Sequence, residues 1–333
     1  MPTFPVRHPE RRGLRERLRL RLLAEIEAAG GRHDEPEIYG GPPGDPGLAG
    51  GPGSVSWEIH GDLATLAAAG TAAILLELLH PSVMAGVAEH SAYRTDPVRR
   101  ARNTLGYVLR TTFGSTAAAT RVIEQVKRVH ARVVGTRPDG VAYRALDPEL
   151  IGWVHTAIPW TVMTAYDRYV RPLRREEKDR YLAEQAVIGR MGGAERVPES
   201  LAELEAYAER MRPALRMTEQ TRDFLDYVAG RSADAPVGLA DRLDRWISIR
   251  ASMGLAPAWA RGLTGTGTPA LVRRLLLDPH ARAKSALVRF ACPQLPCKAM
   301  ALARVAAGAP RPGAGAPAAP RAARPAALAP ASA

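Results

Sequence analysis

The residues able to do chemistry in this chain are few, and most sit in helical patterns. In "RVIEQVKRVHARVVG", Val122, Val126, Val129 and Val133 follow steps of four, three and four, which is one apolar helix face. His130 borders that face on its buried side, four residues after Val126 and three before Val133. Such a histidine is either a core-edge residue with satisfied ring nitrogens or a ligand aimed into a pocket. His155, in "WVHTAIPW", competes for the second role from a more apolar helix, with Trp153 and Trp160 near it in sequence. Glu77 and His80 form one Glu-x-x-His pair. A helical di-iron site needs two such pairs and two further carboxylates, so a di-iron oxygenase is a weaker reading, and His80 before Pro81 reads as a helix cap. His90 and Ser91 read as caps or hydrogen-bonding groups.

A second constellation lies in "DPVRRARNTLGYVLR". Arg100, Thr104 and Val108 step by four with Asn103 beside them, so one helix face offers a cation, an amide and a hydroxyl. Such a face is ordinary on a surface helix. Beside an iron-bound ligand it is also a distal polar set. No Gly-x-Ser-x-Gly, P-loop, dinucleotide fingerprint or His-Glu-x-x-His is present.

The elements that must carry these groups read as helices. Asp96-Pro97 and Asp147-Pro148 are N-cap plus first-turn proline signals, and Asp62 is placed to cap the helix that Pro81 stops. Helices are expected at 62–80, 82–90, 97–112, 116–134, 147–170 and 175–190. Shorter ones follow at 199–211, 218–229, 236–252, 256–262, 268–277 and 279–290. No paired strands and no hairpin dipeptide are evident, so the fold is all-α, with additional N- and C-terminal helices. Residues 1–30 form a basic N-terminal helix, 31–56 a Gly/Pro-rich surface loop, 57–305 the main domain and 306–333 a disordered Pro/Ala tail.

The net charge is +12, but from Leu271 onward there are ten Lys/Arg against one Asp, so the body is near neutral and nucleic-acid binding is not expected. Cys292 and Cys297 make no disulfide framework. The N-terminus is too charged for a secretory signal, and "LATLAAAGTAAILLELL" is short, diluted by Ala and Gly and carries Glu77. A cytoplasmic protein is expected, with peripheral contact to an anionic membrane open to the basic arm at residues 10–29.

Five separated motifs carry a family resemblance. "GPGSVSWEIHGD", "LLHPSVMAGVAEHS", "DPVRRARNT", "VHARVVG" and "LIGWVHTAIPWTVMTAY" resemble, in order and spacing over about 51–190, the MpaB-type oxygenases related to the catalytic domain of latex-clearing protein, the rubber oxygenase. The later "LDRWISIRASMGLAPAWARGLTG" is similar to their C-terminal part. The resemblance implies a globin-like helical core holding haem b, and an oxygenase that uses O₂ on a hydrophobic, isoprenoid or lipid-like substrate. It places the proximal iron ligand at His130 and the Arg-x-x-x-Thr element at Arg100 and Thr104. Asn103 stands where the rubber oxygenase has a lysine able to sit over the iron, so that cation is missing here. Glu77 and Glu89 are the candidate bases. A haem carrier or gas sensor without turnover is the alternative within the same resemblance, and a helical interaction protein with only structural histidines is the alternative outside it.

Overall fold

The computed structural model describes residues 13–231 and 237–308. The chain runs through α1 (Leu14–Gly30), α2 (Pro36–Tyr39), α3 (Val55–His60), α4 (Leu63–Glu77), α5 (Pro81–His90), α6 (Pro97–Phe113) and α7 (Thr116–His130). A two-stranded ribbon, β1 (Val134–Thr136) and β2 (Ala142–Arg144), precedes α8 (Pro148–Tyr169), α9 (Arg175–Gly192), α10 (Leu201–Met211) and α11 (Glu219–Val228). Then come α12 (Leu239–Met253), α13 (Ala258–Leu263), α14 (Ala270–Val272), a π-helical turn at Arg273–Leu277, α15 (Asp278–Ala291) and α16 (Pro296–Ala306).

The fold is predominantly α-helical, a compact core consistent with globin-like architecture. Helix α4 lies at its centre, packed against α8, α12 and α15. Its Ala-rich sequence explains that position, because small side chains let neighbouring helices approach closely; Ala69, Ala72, Leu75 and Leu76 are fully buried. Asp96 and Asp147 accept hydrogen bonds from Arg99 N and Glu149 N, as their cap signals require. Asp62 holds the expected cap position but bonds elsewhere. It accepts from Thr65 Oγ1 at 2.6 Å and from Arg289.

Three expectations need correction. The ribbon was not foreseen, although "RPDG" at 137–140 is turn chemistry: Gly140 takes φ +84°, and Arg137 N bonds Val141 O. The stretch 31–56 is not purely a surface loop, because Tyr39, Ala49 and Ser54 are buried and α2 forms one turn. The guanidinium of Arg304, itself 4 % exposed, gathers its carbonyls, donating to Tyr39 O, Asp45 O and Phe113 O. That arginine belongs to α16, a helix the sequence reading did not anticipate behind Pro293 and Pro296. Helix α1 buries no residue and its leucines fall on both faces, which makes the basic N-terminal segment a solvated helix. Residues 1–12 and the tail beyond 308 lie outside the described residues.

Candidate functional site

Helices α6 and α7 form an antiparallel pair, so the start of α6 meets the end of α7. The inward row of α7 is Ala119, Ile123, Val126 and His130, of which Ala119 and Ile123 are buried. Val129, expected in the apolar stripe, is instead 56 % exposed. His130 is half-buried, and its ring makes no hydrogen bond to the described residues. Burial, and then the Arg100 guanidinium, hold it below the usual imidazole range, so the neutral, ligating form prevails at pH 7.

Arg100 is the link between groups. Its Nη1 donates to Thr104 Oγ1 at 3.4 Å, while that hydroxyl donates back to Arg100 O at 3.2 Å. Its buried Nε has no partner. On its other side it acts on Glu77, whose carboxyl burial pushes up to about 7, with Arg100 pulling the other way. Glu77 is the last residue of α4, 8 % exposed, and Trp153 Nε1 fixes its carbonyl from α8 at 3.1 Å. Arg100 of α6 thus acts electrostatically on both Glu77 of α4 and His130 of α7, and among the described residues neither the Glu77 nor the His130 side chain makes a hydrogen bond. Asn103 and Thr104 are exposed at the edge of this group.

The other candidates go elsewhere. His80 lies beyond the end of α4, and its Nδ1 accepts from Ser82 N at 3.2 Å as the N-cap of α5. Glu77 and His80 thus share no helix face, and among the described residues no group of three His, Cys, Asp or Glu could hold a metal ion. Glu89 accepts from Tyr143 Oη at 2.5 Å and His90 meets Val134 O at 3.3 Å, both at the ribbon. His155 lies against Gly189 of α9, where a Cβ would come within 2.6 Å of its ring. Its Nε2 is buried without a partner, and burial lowers its pKa to about 4.

Near His155 is a histidine the sequence reading missed. His60 ends α3 and is 1 % exposed. Its Nδ1 lies 2.7 Å from Thr112 Oγ1 and its Nε2 2.8 Å from Tyr181 Oη. Thr112 spends its proton on Val108 O, so it accepts from Nδ1–H, and the Tyr181 hydroxyl donates to Nε2. Burial, and then His155, lower the His60 pKa to about 3. Its only sequence signal was its place in "WEIHGD".

A groove of about 440 Å³ along α7 is lined by Glu37, Arg110, Arg121, Glu124 and Arg128 among others, and by none of Glu77, Arg100 or His130.

Residues 57–290 match the family model described as "ER-bound oxygenase mpaB/B'/Rubber oxygenase, catalytic domain". The chain belongs to this family. Membership puts it in a haem-dependent oxygenase class, with oxidoreductase activity in general. No curated protein and no solved structure matches. The family's description as ER-bound overturns the cytoplasmic expectation, which rested on the missing secretory signal. Among the described residues no single helix is long and apolar enough to cross a membrane; Leu63–Glu77 and Pro81–His90 qualify only as a pair bent by 108°.

The residues present fit the family's cofactor. A haem needs one axial imidazole, because the porphyrin brings the other four donors. His130 is neutral and free of hydrogen bonds, and the unpartnered Arg100 Nε beside it is a buried donor with no protein acceptor.

Proposed function

We propose that the segment 57–305 is a haem b-dependent oxygenase domain acting with O₂ on a hydrophobic, isoprenoid or lipid-like substrate, with His130 as the axial ligand. The observation that carries the reading is a half-buried His130 that makes no hydrogen bond among the described residues, together with an Arg100 whose buried Nε has no partner and whose charge acts on both His130 and Glu77. Bound haem would supply the iron at which O₂ is activated. Arg100 holds a fixed positive charge at the site and stabilises negative charge developing on oxygen. The Thr104 hydroxyl orients that guanidinium through its bond to Nη1. Glu77, poised at about 7, can take up or release a proton there at neutral pH, which suits a general acid–base role better than Glu89, already engaged by Tyr143. Asn103 adds no cation, so Arg100 is the positive group of this set. A lipid-like substrate agrees with the family description, and contact with an anionic membrane would bring the protein to it.

The test is an absorption spectrum and pigment extraction on protein made with haem supplied. The chain has no Cys-x-x-Cys-His attachment motif, so non-covalent haem b should be released intact. A preparation that stays colourless after haemin titration would sink the reading. If the spectrum follows His155→Ala rather than His130→Ala, the ligand assignment is wrong.

A further inference from the structure

Surface helices normally turn a polar face to water. The helical run from α14 through α15 also turns apolar residues outward. It buries Leu277, Ala281 and Ser285, with α15 packed on α4 and α12 and its C-terminal turn against α1, where Arg15 lies over the Phe290 ring. Leu276, Pro279, Ala283 and Leu287, at steps of three, four and four, fall on the opposite side and are all exposed. Leu271 and Leu275, one turn apart where the run begins, are 67 % and 68 % exposed. Among the described residues nothing covers this apolar row, and no charge interrupts it.

The flanks are basic. Residues 258–290 carry Arg261, Arg273, Arg274, Arg282, Lys284 and Arg289 against one acid, Asp278. Asp244 pairs with Lys284 and Asp62 with Arg289, and Asp278 accepts from Tyr169 Oη. The remaining cations cluster. Arg168 donates to Gly254 O and Arg261 to Ala256 O, and the buried Arg273 Nε has no partner. Burial, then Arg273 and Arg168, hold Arg261 below its ordinary pKa.

We infer that the outward face of the Leu271–Leu287 run docks on an anionic phospholipid bilayer, with its leucines at the acyl boundary and its arginines among the phosphates. An apolar groove on a partner protein would take the leucines and leave the uncompensated cations unused. Free phosphate would take the cations and leave the leucines in water. An anionic bilayer surface matches both in one plane. A π turn at Arg273–Leu277 widens the helix at the point where the two kinds of residue meet.

The experiment is co-sedimentation of the full chain with phosphatidylcholine vesicles, with and without phosphatidylserine. Binding should require phosphatidylserine and fall at high salt. Leu275→Ser/Leu287→Ser should weaken it by about tenfold or more with the melting temperature kept. Arg273→Gln/Arg274→Gln should weaken it by about tenfold on phosphatidylserine vesicles. The control Leu14→Ser/Leu18→Ser, on the outer side of α1, should bind as wild type. No preference for phosphatidylserine, unchanged binding in the first two variants, or loss in the α1 control overturns the inference. So does a leucine variant that dissociates a dimer while the wild type ignores vesicles, since the face would then seat a second copy. The readout needs no haem, so failure of the oxygenase reading leaves it standing.

Discussion

Two polar regions of this helical core, one buried around His60 and one half-buried around Arg100, are built on opposite principles. Around His60 both ring nitrogens have partners: Thr112 accepts, Tyr181 donates, and the ring is held neutral. Around Arg100 the side chains do not complete one another: among the described residues Glu77 has no donor and His130 no partner, and Arg100 keeps a buried nitrogen free. A satisfied network specifies packing, because removing any member strands the others. An unsatisfied one is costly in the free protein and is repaid only when something else enters. The difference separates a histidine that holds the fold from one placed to hold a ligand.

The largest expected effect breaks the satisfied side. His60→Leu leaves the Tyr181 hydroxyl without its acceptor in the core and should cost about 3 kcal/mol in denaturant unfolding, with haem binding per folded molecule unchanged. A loss under ~1 kcal/mol would mean the network is not structural.

Next comes pH. Glu77 has a folded pKa raised to about 7, so its contribution to stability is present below the usual carboxylate pKa and is lost as pH rises through about 7. The full loss is on the order of 3 kcal/mol. Glu77→Gln should flatten the stability profile between pH 5 and 8; an unchanged slope there would remove Glu77 as its source. His60, lowered to about 3, and His155 and His80, lowered to about 4, act the other way. Their contribution is present above the unfolded imidazole pKa and disappears as pH falls from there towards 3. Acid unfolding in that window, monitored by circular dichroism, should move to lower pH in His60→Leu.

On the unsatisfied side, His130→Ala should cost the haem-free protein only ~1 kcal/mol or less. It should nevertheless lower haem occupancy or shift the Soret band, with added imidazole restoring the original spectrum. A stability loss as large as that of His60→Leu, with the spectrum intact, would erase the contrast between the two regions. The smallest effect belongs to Thr104→Val. At an exposed position it should change stability by less than ~0.5 kcal/mol while reducing O₂-dependent turnover through a less ordered Arg100. Full turnover would return Thr104 to the ordinary surface of α6.

What the sequence by itself determined is the local order of the chain and its family. The proline and aspartate signals at 96–97 and 147–148, the periodicity of α6 and α7, and five spaced motifs are short-range, and each carries its own physical cause. The action of Arg100 on both Glu77 and His130 was not legible, because it joins the ends of three helices through their packing. The pairing of His60 with Tyr181 spans 121 residues, and that of Arg304 with Tyr39 spans 265. The second apolar face of α15 also needed the structure: the spacing of Leu276, Ala283 and Leu287 describes a helix stripe, and only the position of α4 decided which stripe was left facing water. Periodicity specifies that a helix has an apolar side, but burial depends on which neighbour arrives there, and that is a property of the whole chain.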